Sequence, residues 1–95
     1  MRLVRKYPLA LQPWQEVSLP NGAHILHCAA PGDQPALWAM VDPEAALVVC
    51  TVRIFSTGEE FQEWSADNPD GFRGEYRGSF ILSDGTEGHV VQQVK

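Results

Sequence analysis

The sequence predicts an all-β domain: a small antiparallel sandwich or partly open barrel of six or seven strands, with one short helix. Three observations predict this class. Apolar residues recur at period two in short runs, Pro, Gly, Asn and Asp clusters separate those runs, and no stretch holds an i, i+3, i+4, i+7 apolar pattern for three helical turns. Ninety-five residues make one domain, 1–95, because a chain of this size cannot be divided into two useful cores. Its 44% hydrophobic content, with three Trp, two Tyr and four Phe, is enough to build that core.

The first strand covers Leu3 to Pro8, and Pro8 and Pro13 place it at a sheet edge because proline cannot donate to a ladder. Gln15 to Leu19 follows, closed by the turn Pro20-Asn21-Gly22, in which Asn and Gly accept positive φ. Ala23 to Ala30 is the third strand. Pro31-Gly32-Asp33-Gln34-Pro35 separates it from Ala36 to Val41, and Asp42-Pro43-Glu44 turns the chain again. The longest strand, Ala46 to Phe55, is apolar on both sides and reads as a central strand covered twice. After Ser56-Thr57-Gly58, Thr57 and Glu60 have the spacing of a capping box and predict a helix to about Ser65, with Phe61 and Trp64 on one face. This gives an acidic helical insertion at about 58–72. Tyr76 to Leu82 and His89 to Val94 form a closing hairpin across Ser83 to Gly88.

The net charge of −5 argues against direct nucleic-acid binding, which draws its affinity from Lys and Arg at phosphates. The charge is also unevenly placed. Glu59, Glu60, Glu63, Asp67 and Asp70 fall within twelve residues that hold no base, whereas Arg2, Arg5 and Lys6 make the first strand basic. No apolar run approaches a membrane span. Gln12, Pro13, Gln15 and Glu16 interrupt the place where a signal peptide would be apolar, so the chain reads as mature and cytoplasmic. Cys28 and Cys50 lie in apolar strand-like runs and read as buried thiols rather than a disulfide.

The residues that carry chemistry are few. His24, His27 and Cys28 are zinc-type donors, but on one strand His24 and His27 point to opposite faces, and His24 and Cys28 stand about 13 Å apart. No metal site and no cofactor are expected. Cys28 beside His27 or His89 has the composition of a nucleophile and base, yet burial among Leu26, Ala29 and Ala30 raises a thiol pKa and leaves it inert. No nucleophile-elbow, phosphate-loop, dinucleotide-binding or metallohydrolase motif occurs, so an enzyme is not expected. Phe61 and Trp64 among carboxylates suit recognition of a basic, partly apolar partner, since aromatics anchor and carboxylates steer. The same two rings suit a lid over an open end of the sheet, because burying a large aromatic stabilises by roughly 1.5 to 3 kcal/mol.

Six blocks occur in order along nearly the whole chain: Lys6-Tyr7-Pro8-Leu9, Leu19-Pro20-Asn21-Gly22-Ala23-His24-Ile25-Leu26-His27, Leu37-Trp38-Ala39-Met40-Val41-Asp42-Pro43, Arg53-Ile54-Phe55-Ser56-Thr57-Gly58, Tyr76-Arg77-Gly78-Ser79 and His89-Val90. Together they resemble a group of short phage and prophage proteins. The resemblance implies a small β-rich accessory protein acting in the bacterial cytoplasm, with no activity to carry over. His27 and His89 match histidine positions of that pattern. Glu59 to Glu75 is longer than the connection usual in the group, and specialisation is expected there.

The leading expectation is a phage-encoded accessory protein that inhibits or redirects a host protein, a defence component such as a CRISPR complex being one target, by stoichiometric binding. Its partner has a basic surface, and the contact residues are Glu59, Glu60, Phe61, Glu63, Trp64, Asp67 and Asp70. An alternative is a small-molecule or metal-binding β-barrel with His27, His89, Trp38 and Tyr76 at its mouth. A third is a virion or assembly component. A monomer or small homo-oligomer is expected.

Overall fold

The computed structural model describes residues 1–94. Seven strands follow one another: β1 Leu3–Pro8, β2 Trp14–Pro20, β3 His24–Ala29, β4 Ala36–Val41, β5 Leu47–Ser56, β6 Gly74–Ile81 and β7 Glu87–Gln93. They form two antiparallel sheets, β1-β4-β3 and β2-β5-β7-β6, that do not close into a barrel. A barrel mouth is therefore absent from the described residues, which corrects the barrel form of the expectation.

Alternation along each strand builds the core. Leu37, Ala39 and Val41 on β4 turn inward with Cys28 and Leu9, and meet Val52, Phe80 and Val90 from the four-stranded sheet. β1 is an edge strand, paired only with β4. The turn after β2 carries Gly22 at φ 83, with the Ala23 amide donating to the Pro20 carbonyl at 3.1 Å, a type II turn that needs positive φ at its third residue.

The two sheets come together closely where β6 passes β3. A bulge between Tyr76 and Gly78 shifts the β6–β7 register. Gly78 adopts φ 150, and a Cβ there would stand 3.1 Å from Cys28 Cβ, so backbone conformation and space both require glycine. Elsewhere the sheets are tied by Asp33, whose carboxylate accepts from the Ser83 amide at 2.8 Å and from the Ser83 hydroxyl.

The expected helix at 57–65 does not form. The only helical turn among the described residues is a single 3-10 turn at Pro31–Asp33. The capping box fails because its Thr57 hydroxyl has other partners. Thr57 Oγ1 bonds Glu87 and His89 of β7, and it is Glu59, not Glu60, whose carboxylate bonds back, to the Ser56 amide at 3.1 Å. Residues 57–73 instead close on themselves as a loop: the Phe72 amide donates to Gln62 O at 2.7 Å and the Trp64 amide to Phe72 O at 2.9 Å.

Candidate functional site

The outer face of the four-stranded sheet is the most elaborated surface of the molecule. Val52 and Ile54 of β5 face inward, so Arg53 and Phe55 face outward. An outward Phe on a central strand is stable only if something covers it. Phe55 is buried because the 57–73 loop lays Phe61 and Phe72 over it, with ring centroids 4.7 and 5.3 Å away. Trp14 of β2 meets Phe72 edge-on at 5.6 Å, completing a four-ring cluster. Aromatic pairs in these geometries add about 0.5–1.5 kcal/mol each beyond burial. Central-strand coverage on both sides thus holds for the second half of β5, whereas Leu47 and Val49 at its start are exposed.

Arg53 locks the loop to the sheet. Its guanidinium carbon lies 4.2 Å from the Phe55 centroid and 4.7 Å from that of Trp14, and Nη2 donates to Glu59 Oε2 at 2.7 Å. The other Glu59 oxygen accepts from the Ser56 amide. Arg53 Nε is buried without a hydrogen-bond partner among the described residues, so the charge depends on Glu59 and the rings for compensation.

Beside this clamp a cavity of about 410 Å³ opens between loop and sheet. It is lined by Phe55, Phe61, Phe72, Tyr76 and His89, and by Glu59 and Glu63. A hydrogen-bonded chain runs along the β7 wall. Thr57 Oγ1 is 3.0 Å from Glu87 Oε2 and 2.7 Å from His89 Nε2, and Tyr76 OH is 3.0 Å from His89 Nδ1. A carboxylate only accepts, so the single Thr57 proton goes to Glu87. His89 Nε2–H then donates to Thr57, and Nδ1 stands within hydrogen-bond distance of the Tyr76 hydroxyl. The chain fixes the Tyr76 and His89 rings as cavity wall.

The residues expected to matter divide between two faces. Tyr76 and His89 lie together at the cavity. His27 and Trp38 lie together on the outer face of the three-stranded sheet, with centroids 5.5 Å apart and Lys6 Nζ 5.7 Å over Trp38. His27 therefore does not pair with His89: the odd and even positions of β3, β4 and β7 send them to opposite sides of the sandwich. Phe61 and Trp64 do not share a helix face. Phe61 lies on Phe55, whereas Trp64 packs against Arg73 at 4.9 Å, and each remains nearly half exposed. Glu60, Glu63, Asp67 and Asp70 are exposed along the loop, and Glu59 is engaged by Arg53. Among the described residues no group of three His, Cys, Asp or Glu is placed to hold a metal ion.

Cys28 and Cys50 are free thiols. Burial pushes the Cys28 thiol up to about 11, against a smaller opposing effect of Arg77, and keeps it protonated. Cys50 is only half-buried, on the open part of β5.

Sequence reasoning passed over Trp14, Arg53, Thr57 as a bridging hydroxyl, Phe72 and Glu87. One signal for the first half of that set was present: Arg53 and Phe55 occupy alternate positions on a strand whose other face is wholly apolar, so both need a cover.

The family model for the domain of unknown function DUF7352 matches residues 1–95, and the chain belongs to that family. No curated protein and no solved structure matches the chain.

Proposed function

We propose that this member of the DUF7352 family is a non-enzymatic accessory protein that works by stoichiometric binding, presenting the acidic 57–73 loop to a basic surface on another protein. One observation carries the reading. The acid-rich segment is not a solvated tail: it is held by Arg53–Glu59 and by a cluster of four packed rings onto the sheet, with Glu60, Glu63, Asp67 and Asp70 left exposed. Preordering of this kind lowers the entropy lost on association, while the outward carboxylates steer a cationic partner and half-exposed Phe61 and Trp64 supply anchors. The resemblance of the six sequence blocks to phage and prophage proteins supports a phage origin. It makes a host protein the partner, a nucleic-acid-binding defence component such as a CRISPR complex being the leading target, in the bacterial cytoplasm.

Affinity capture from expressing bacteria tests the reading. Wild type is compared with the combined variant Glu60→Lys, Glu63→Lys, Asp67→Lys and Asp70→Lys. Glu59 is left in place because it holds Arg53. One basic host protein in near-stoichiometric yield with wild type, absent with the variant at equal thermal stability, is the expected result. Identical recovery with both proteins refutes the loop as the binding element.

A further inference from the structure

We infer that the cavity between the loop and β5-β7-β6 receives the guanidinium of an arginine side chain on the partner protein. The inference rests on the proposed binding role of the loop and names the group this part of it recognises. Three features of the cavity select the ligand. Its volume of about 410 Å³ exceeds what one side chain needs, so an arginine enters with its stem and neighbouring backbone. Its lining is rich in aromatic residues, Phe55, Phe61, Phe72 and Tyr76, of which Phe61 and Tyr76 stand 47% and 60% exposed, and aromatic rings attract a planar cation. The acidic residues Glu59 and Glu63 also line it, with no Lys or Arg. Glu59 is committed to Arg53, whereas Glu63 forms no ion pair among the described residues.

The molecule already contains the arrangement it would make with a partner. Arg53 sits 4.2 Å over the Phe55 ring with Nη2 on the Glu59 carboxylate, and Arg73 stands 4.9 Å from the Trp64 ring. Both are guanidinium groups on the aromatic rings of this same loop and sheet. A guanidinium suits such a site better than an ammonium, because its planar fork stacks on a ring while bonding a carboxylate in the same plane. The hydrogen-bonded Tyr76 and His89 rings line the same cavity as Phe61.

The test is a titration of ¹⁵N-labelled full-length protein followed by amide chemical shifts, with three probes: the peptide acetyl-Gly-Arg-Gly-amide, the same peptide with citrulline for arginine, and methylguanidine. The expected result is saturable shifts at Phe61, Gly74 and His89 with the arginine peptide. Citrulline, isosteric but neutral, should bind at least about tenfold more weakly, the loss of a charge-assisted hydrogen bond. Glu63→Gln, at an exposed position, should weaken the arginine peptide by a similar factor without changing the melting temperature. Methylguanidine should bind more weakly than the peptide. Equal binding of citrulline and arginine, shifts located away from the cavity, or no effect of Glu63→Gln overturns the inference. Methylguanidine binding as tightly as the peptide also overturns it, by assigning the cavity to a free small cation. If the peptide fails while the loop variant with four lysines still loses its captured partner, the cavity is wrong and the loop surface stands. Capture lost with Glu63→Gln but unchanged with Glu60→Lys, Asp67→Lys and Asp70→Lys, a variant that keeps Glu63, leaves the arginine cavity standing and removes the outer loop carboxylates as the binding element.

Discussion

At the residue scale, the decisive side chains are those that join the loop to the sheet. Glu59 is the clearest case: its removal leaves the Arg53 guanidinium over Phe55 and Trp14 without a carboxylate, and Arg53 Nε already has no partner among the described residues. Glu59→Ala should lower stability by about 1–3 kcal/mol in urea unfolding, the cost of an uncompensated buried cation discounted for partial exposure. A surface Glu with no such duty, Glu60, should change it by less than about 0.5 kcal/mol when replaced by Ala. Thr57 makes a second prediction. Because its hydroxyl joins Glu87 to His89 Nε2, Thr57→Val should abolish the preference for the Nε2–H tautomer, read from the imidazole nitrogen shifts of His89. Cys28 makes a third. Its thiol is raised from 9.0 to about 11 by burial, so the unfolded chain ionises first as pH rises. Stability is then unaffected below about pH 9 and declines between about pH 9 and 11, by about 3 kcal/mol at most. Cys28→Ala, whatever its stability at neutral pH, should lack that decline, and Cys28 should alkylate more slowly than half-buried Cys50 in the folded protein.

At the element scale the 57–73 loop is the part that departs from regular structure, and its geometry depends on one glycine. A Cβ on Gly71 would collide with the backbone carbonyl of Glu63, since the two sides of the loop touch there. Gly71→Ala should therefore open the Gln62–Phe72 and Trp64–Phe72 hydrogen bonds. The readout is loss of amide-exchange protection at Trp64 and Phe72, with strands β5 and β7 still protected. The strands themselves were legible in the sequence. Period-two alternation places Leu37, Ala39 and Val41 inward, and Pro20-Asn21-Gly22 and the Ser83–Gly88 segment turn the chain where turn chemistry puts them. The loop was not legible, because the capping-box pattern at Thr57 and Glu60 describes only local competition. What decides the conformation is Thr57 meeting residues thirty positions later and Phe55 needing a cover, both of which require the sheet order β5-β7-β6. The cavity was half legible for the same reason. Tyr76 and His89 were singled out and lie together, while Phe72 and Arg53 gain their roles only from packing across strands.

At the scale of the whole molecule, a sandwich of 41 × 37 × 16 Å separates two chemically opposite faces. The three-stranded sheet turns Lys6, His24, His27 and Trp38 outward, the bulge between Ile25 and His27 putting both histidines on one face where alternation alone predicts opposite faces, and the four-stranded sheet carries the acidic loop. Residues 57–73, with five acids against Arg73, carry −4 of the net charge of −5. Association through the acidic face should be steered: raising the salt from about 0.02 to 0.2 M should slow the association rate by roughly tenfold while changing dissociation little. Whether the clamped acidic loop is the binding element is decided by hydrogen–deuterium exchange of the protein alone and in complex with its captured partner. New protection is predicted at residues 58–73 and around Tyr76 and His89, with β1-β4-β3 unchanged. Protection confined to the Lys6, His27 and Trp38 face, with the loop exchanging as it does in the free protein, would contradict that role.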